Sequence, residues 1–481
     1  MRTFSHTLDR LEVVFDDDHL VGNAGLIAPA TLAQHLGLQE LFESHVDLGD
    51  APGHAHVGHK AVTVIHSVLA GGDSIDDCDV LRAGSTAAVL GHAVLAPSTL
   101  GTFLRSFTWG HARQVDKVAG EVLARAWAAG AGPGDASVSI DVDSSICETY
   151  GLAKQGGSRF TYSHVRGYHP LFATVAGTAD VVHCRLRAGP AHTARGAASF
   201  LAETFARVRA AGASGPVVMR ADSGFSNTRV VGACRRADVR YSITVKMSKG
   251  LRKVIEAIPE ADWTPIPYFL EDGADVAEIN YRAFGKTNGV NCRLIVRRVR
   301  PTPGSQLSLF VTWSYHAFVT NRLGEVVSLE ADHRRHAVVE SAIRELKYGV
   351  GLNHLPSGRF GANAAWLGLN VIAHNMARWT TRIGGLDTIE PADVPPRRDT
   401  DDTDTTDTAA SPGDAPAPPG AGRRGHKSFV ATDTLRRRHL CVPGRIASSA
   451  RKLTVHLPTN WPWADAFNEM LTNLRSVIVV T

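Results

Sequence analysis

The hydrophobic rhythm of the chain changes near residue 137. Before that point apolar residues recur at helical spacing, as in Lys60–Ala70 and Arg113–Ala129, with Gly and Pro clusters between the runs. From Ser137 the pattern becomes an alternation. Val138, Ile140 and Val142 define one face of a strand, while Ser139, Asp141 and Asp143 point to the other. Further strand-like runs occur at Pro170–Ala176 and Val181–Arg187, followed by a helix at Arg195–Ala211 and a buried strand at Pro216–Asp222. A short helix from Asn227 and a strand at Arg240–Met247 complete the series. Three strands, helix, strand, helix, strand predict a mixed α/β sheet with helices on its faces.

Residues 248–314 interrupt this order with the β-rich stretches Val290–Arg300 and Leu307–Trp313, which read as an inserted β-subdomain. A strand at Tyr315–Thr320 then leads to a long amphipathic helix beginning near Leu329. Between Pro391 and Lys427 apolar content disappears into acids and threonines (Asp399–Asp407), then Ala, Pro and Gly. Such a segment buries too little apolar surface to offset its ordering entropy and is expected to be a disordered linker. Ser428–Thr481 regains apolar residues, with Arg436–Arg438, Trp461 and Trp463, and is expected to dock on the main body. The expected organisation is a helical region 1–130, an α/β domain 135–390, a linker 391–427 and a C-terminal extension 428–481.

Composition narrows the field without deciding it. The chain has 481 residues, 44% hydrophobic and 20% charged, with room for two or three domains and a substantial core. A net charge of +4 permits nucleic acid as a partner without demanding it. The N-terminus lacks an apolar run of signal-peptide length and no segment approaches membrane-spanning length, so a cytoplasmic protein is expected. Six dispersed cysteines without a CxxC pair argue against a disulfide framework and a zinc ribbon.

Three carboxylates stand out. Asp143 closes the first strand and Asp222 the fourth, each followed by turn-forming residues, Ser144-Ser145 and Ser223-Gly224. A strand-end carboxylate is held rigidly at the surface, although a turn or a helix cap uses the same residue type. Asp141 shares a face with Asp143 but lies one pleat deeper, about 6–7 Å back along the strand. In the helix His333–Tyr348, at 100° per residue, His336, Glu340 and Lys347 fall at about −60°, −20° and −40° from His333. Val338, Val339, Ala342 and Leu346 form the opposite face. The polar stripe suits either a site or a solvated face with ion pairs along the helix.

These segments together resemble bacterial insertion-sequence transposases of the DDE type. In that superfamily the last acid sits in a Tyr-x2-Arg-x3-Glu-x6-Lys signature. This chain reads His333-x2-His336-x3-Glu340-x6-Lys347, with the spacing kept and the first two residue types changed. Asp143-Ser144-Ser145 matches the family's Asp-x-Thr/Ser motif, and Arg220–Phe225, RADSGF, matches the motif of the second acid. Gly167-Tyr168-His169-Pro170 and the C-terminal LPTNWPWADAF also look like family sequence, from a subgroup with a β-insertion and a C-terminal extension.

The resemblance implies a ribonuclease-H-like catalytic core that performs cut-and-paste transposition. Asp143, Asp222 and Glu340 would hold two Mg²⁺ ions, with Mn²⁺ able to stand in, Asp143 bridging them. Lys347, His333 and His336 would occupy the family's DNA-backbone positions, although a neutral imidazole donates one hydrogen bond where arginine offers a charged fork. Implied partners are double-stranded DNA with terminal inverted repeats, target DNA and a second copy of the chain in the DNA complex, with no membrane; the implied setting is the bacterial nucleoid. Residues 1–130 read either as scaffold or as a DNA-end-binding domain. Trp263 and Trp313 suit either core packing or stacking on a flipped base, and Gly250–Lys253 and Arg293–Arg300 either a DNA groove or a solvated face. Two further readings stay open: a ribonuclease-H-like nuclease without strand transfer, and an inactive derivative kept as a DNA-binding protein.

Overall fold

The computed structural model describes residues 8–388 and 429–478, apart from residues 52, 152–153, 156, 162, 268–272, 286–288 and 301–312. The expected linker 391–427 and most of the stretch Leu307–Trp313 lie outside the described residues.

The N-terminal region is helical, as its rhythm predicts. Its longest helices are α1 (Val57–Ala70) and α2 (Trp109–Ala126). The start of α2 is fixed by a capping box. The Thr108 hydroxyl accepts the His111 amide, and the His111 ring accepts the Thr108 amide.

Among the described residues, nine strands form one mixed sheet. In chain order they are β1 (Val138–Ser144), β2 (Leu171–Val175), β3 (Val181–Arg185), β4 (Val217–Ala221), β5 (Arg240–Thr244), β6 (Thr264–Pro265), β7 (Ala274–Ala283), β8 (Val290–Val299) and β9 (Ser314–Thr320). Their spatial order is β6-β7-β8-β9-β5-β4-β1-β2-β3. The three central strands β1, β4 and β5 run parallel, which requires crossover connections. Helices α3 (Ala197–Ala210), before β4, and α4 (Thr228–Arg236), before β5, supply them. Asn227 caps α4, its side chain accepting the Arg229 and Val230 amides. The strands of segment 248–314 do not build a sheet of their own. They extend the central sheet through β9, which pairs antiparallel with β5.

Behind β9 come α5 (Val326–Arg334), a 3₁₀ turn at Arg335–Ala337 and α6 (Val338–Arg344). Helix α7 (Phe360–Ile383) follows, and every residue from Ala362 to Thr381 is buried. A helix buried all round is the centre of a body rather than its surface. It packs on α1, α2 and β3, so the N-terminal helices and the sheet share one hydrophobic core. Gly368 permits the closest of these contacts, since a Cβ there would meet Val115 at 2.7 Å.

Residues 429–478 pack on this body. Strand Gly444–Ser449 pairs antiparallel with Leu20–Val21. Arg436 donates to the carbonyls of Val68, Leu69 and Gly349, tying α1 to the segment after α6.

Candidate functional site

Strand register brings the first two acids together. In the parallel pair β1 and β4, Asp141 lies opposite Arg220 and Val142 opposite Ala221. The next positions are Asp143 and Asp222, at the carboxyl ends of neighbouring strands, where open α/β sheets place their ligands. Asp143 accepts the Ser144 amide at 2.6 Å, and Asp222 leaves the sheet by capping a 3₁₀ turn, accepting the Gly224 amide at 3.0 Å. Glu340 is exposed on α6 and acts electrostatically on Asp143.

The resulting charge distribution is unbalanced. Burial raises Asp143 to about 6; the Ser144 amide and His336 pull it down, while Asp222 and Glu340 push it up. Asp222 reaches solvent from densely packed surroundings. Partial desolvation still raises it, against the Gly224 and Phe225 amides and His336. Among the described residues none of the three carboxylates forms a salt bridge with arginine or lysine. Their neighbours do: Asp141 pairs with Arg220, and Asp332 with Arg220 and Arg322.

Asp141 is fully committed. It is buried, and the Arg220 fork meets both its oxygens at 2.7 Å while His336 Nδ1 lies 2.9 Å from Oδ1. The far side of Arg220 donates to the Asp332 carbonyl at 2.7 Å. Arginine 220 of the RADSGF stretch therefore neutralises the inner acid of β1, and Asp222, two residues on, sits beside the outer one.

The helical stripe expected over His333–Tyr348 is broken. The Arg335–Ala337 turn winds at about 120° per residue rather than 100°, which rotates what precedes it by about 60° relative to Glu340. A π turn at Glu345–Gly349 widens the other end. Val338, expected on the apolar face, is 46% exposed, whereas Val339, Ala342 and Leu346 are buried as expected.

His333, expected on a DNA-facing stripe, is half-buried, and its ring turns toward β5. Its ring bridges Ser242 Oγ at 2.7 Å and Thr244 Oγ1 at 3.0 Å and stacks on Phe318 at 4.0 Å. Burial, reinforced by His336 and nearby arginines, lowers it to about 3, so it is a neutral imidazole. His336 turns toward Asp141, and its charged form acts on both Asp143 and Asp222. Lys347 lies further along, lining an open cleft of roughly 310 Å³ with Tyr150, Asn353, His354 and Arg436. The basic run Arg293–Arg300 is largely consumed by acids: Arg293 by Glu278, Arg297 by Glu330, Arg298 by Asp275 and Glu260. Trp263 and Trp313 each hold the Arg298 guanidinium 4.3 Å from the ring centroid, the packing alternative for both.

A family model described as transposase DDE domain group 1 matches residues 5–389. The chain belongs to this DDE transposase family. No curated protein matches it. Among solved structures it is similar to a piggyBac transposase in a synaptic complex with hairpin DNA, at 9% identity and a TM-score of 0.41 over 76% of each chain. That likeness is too remote to bear on the site.

Two features of this DDE transposase-family chain were not assigned a role from sequence. His169, within the Gly167–Pro170 stretch, donates from Nδ1 to the Ala191 carbonyl at 2.9 Å, which leaves Nε2 to accept the Ser144 hydroxyl at 2.9 Å. It thereby fixes the residue after Asp143. The second is a separate cluster, Asp116, His183 and Glu203, whose ligand atoms lie within 4.8 Å of one another. It sits between α2, β3 and α3, away from Asp143. Its carboxylates are already paired with Arg113, Arg185 and Arg207, so it has the counter-charge that the strand-end acids lack. No signal short of the folded contact between α2 and α3 marks it.

Proposed function

We propose that the chain is the transposase of an insertion sequence, hydrolysing phosphodiester bonds at terminal inverted repeats and joining the freed ends to target DNA. Asp143, Asp222 and Glu340 are its catalytic carboxylates on a ribonuclease-H-like core. The observation that carries this reading is that, among the described residues, these three acids have no arginine or lysine partner, whereas Asp141 and Asp332 beside them are paired with arginines. Such a group is electrostatically frustrated until a cation arrives, and the donor set, carboxylate oxygen only, suits Mg²⁺. Bound divalent ions would activate the attacking oxygen and stabilise the leaving one. By the resemblance to the family, Asp143 would bridge the ions while Asp222 and Glu340 would each complete one site; in this structure the oxygens of the three do not all lie within 4.8 Å of one another. Arg220 and His169 hold the strand ends rigid from beneath. The spatial order β3-β2-β1-β4-β5 supports the ribonuclease-H-like assignment. Lys347, which lines an open cleft, would contact a DNA phosphate, as the resemblance implies. A homodimer on paired DNA ends, associated with the nucleoid, completes the proposal.

The test uses the full chain with DNA carrying the element's ends. Asp143→Asn, Asp222→Asn and Glu340→Gln should each abolish Mg²⁺-dependent cleavage and strand transfer while end binding persists. Cleavage without strand transfer by the wild-type chain would assign a nuclease instead. Retained cleavage in any one of the three variants would remove that acid from the site.

A further inference from the structure

We propose that the open cleft lined by Tyr150 and Tyr348 receives an unpaired nucleotide of the DNA strand that lies at the acids, its base stacking on the tyrosine rings and its phosphate meeting Lys347. This rests on the reading of Asp143, Asp222 and Glu340 as the site that cuts DNA.

Two large aromatic side chains stand almost free in water here. Tyr150 is 82% exposed and Tyr348 70%, yet both line the same cleft of roughly 310 Å³. Neither hydroxyl has a hydrogen bond to a described residue, so the rings are free faces rather than parts of the core. The lining carries two cations, Lys347 and Arg436, and one acid, Asp73. Asp433 engages Arg436, and His354 lies 3.8 Å from Asp73. Lys347 is left without an ionic partner among the described residues.

The walls of the cleft lead away from the acids on the two elements that carry them. Tyr150 follows Asp143 by seven residues, and Tyr348 follows Glu340 by eight. Lys347 lies about 10 Å beyond Glu340 along the helical path, at 1.5 Å per residue. The Lys154 ammonium donates to the Leu355 carbonyl, and the Gln155 amide donates to the Gly358 carbonyl at 2.7 Å. These bonds tie the segment after β1 to the segment after α6. A strand lying across the acids therefore reaches the cleft within about three nucleotides, at 3.4 Å each.

The occupant follows from the chemistry of the lining. Exposed aromatic faces beside an unpaired cation hold unpaired strands, the bases on the rings and the phosphate on the charge. In a duplex the faces of a base are covered by its neighbours, so only a nucleotide taken out of the stack can use the rings.

The experiment uses the full-length protein in metal-free buffer with two probes, a blunt duplex and the same duplex carrying a short thymine overhang. Fluorescence anisotropy gives the affinity for each, and photo-crosslinking from 5-iodouracil in the overhang locates the contact. The wild type should prefer the overhang, with crosslinks at Tyr150 or Tyr348. Tyr150→Ala and Tyr348→Ala should each lower the ratio of overhang to blunt affinity about tenfold, as loss of one stacked base requires. Tyr150→Phe and Tyr348→Phe keep the ring and should hold that ratio within about twofold. Thermal melts establish that each variant is folded. No overhang preference in the wild type, a ratio unchanged in either alanine variant, or a phenylalanine variant that loses as much as its alanine counterpart overturns the inference. Crosslinks confined to other residues overturn it as well. Each of these leaves the acid site standing where Asp143→Asn abolishes Mg²⁺-dependent cleavage. An overhang preference that depends on the tyrosines, in a wild-type chain that cleaves no DNA with Mg²⁺, would instead overturn the acid site.

Discussion

Replacing Asp141 by alanine should damage stability far more than replacing Asp143, although the two share one strand face. Asp141 and Arg220 are 1% and 2% exposed, and the pair is closed by two 2.7 Å hydrogen bonds. Removing one partner of a buried pair leaves an uncompensated charge, a loss of about 3–5 kcal/mol. Arg220 keeps the Asp332 carbonyl and carboxylate, which favours the lower end, about 3 kcal/mol. At about 2.1 cal/mol/K of unfolding entropy per residue, a body of roughly 400 residues then melts about 3–4 °C lower. Asp143→Ala, by contrast, removes one backbone hydrogen bond and a carboxylate pressed by two like charges, so its net change should stay within about 1 kcal/mol. The assay is a pair of metal-free thermal melts at neutral pH beside a cleavage assay. An Asp141→Ala protein melting within about 1 °C of wild type, or an Asp143→Ala protein falling by about 3–4 °C, would refute the division into an inner structural acid and an outer functional one.

The buried histidines set an acid limit. Burial lowers His66, His333, His374 and His439 to between about 3 and about 4, and His183 well below its ordinary range. The unfolded chain binds their protons first, so stability is complete above about pH 6.5 and falls as pH drops toward 4; urea titrations across that range should show the slope, and His333→Asn should lessen it by about one proton. Arg436→Ala should cost about 2–3 kcal/mol by releasing the carbonyls of Val68, Leu69 and Gly349, and increase hydrogen exchange in Glu345–Gly349. Gly368→Val should destabilise by about 1–3 kcal/mol through overpacking against Val115, read from the denaturant midpoint. Deleting residues 1–130 should yield aggregated protein rather than a folded core, because α7 loses its cover; a soluble, cooperatively melting fragment would contradict the shared core.

What could be read from the sequence was whatever depends on local period. Alternation along Val138–Asp143 and the continuous apolar run before Asp222 located two strands to within a residue or two, and with them both strand-end acids. The helical repeat in Arg195–Ala211 did the same for α3, while that in Arg113–Ala129 found α2 but set its start four residues and its end three residues late. Period says nothing about which strands become neighbours, so the β-rich segment after residue 248 looked like a unit of its own, whereas Phe318 and Val319 pair with Thr244 and Ile243 and carry it onto the central sheet. Nor does an ideal helix reveal its own interruptions. The assumption of 100° per residue across His333–Tyr348 placed two histidines on one outward line. Three residues of tighter winding separate them, one to a slot between Ser242 and Thr244, the other to Asp141. The substitution of two histidines at signature positions is thus two different events. His333 packs where two hydroxyls and an aromatic ring accept a neutral imidazole. His336 meets Asp141, whose charge Arg220 already balances, so a histidine there adds one hydrogen-bond partner to a closed pair where an arginine would have added a second full charge.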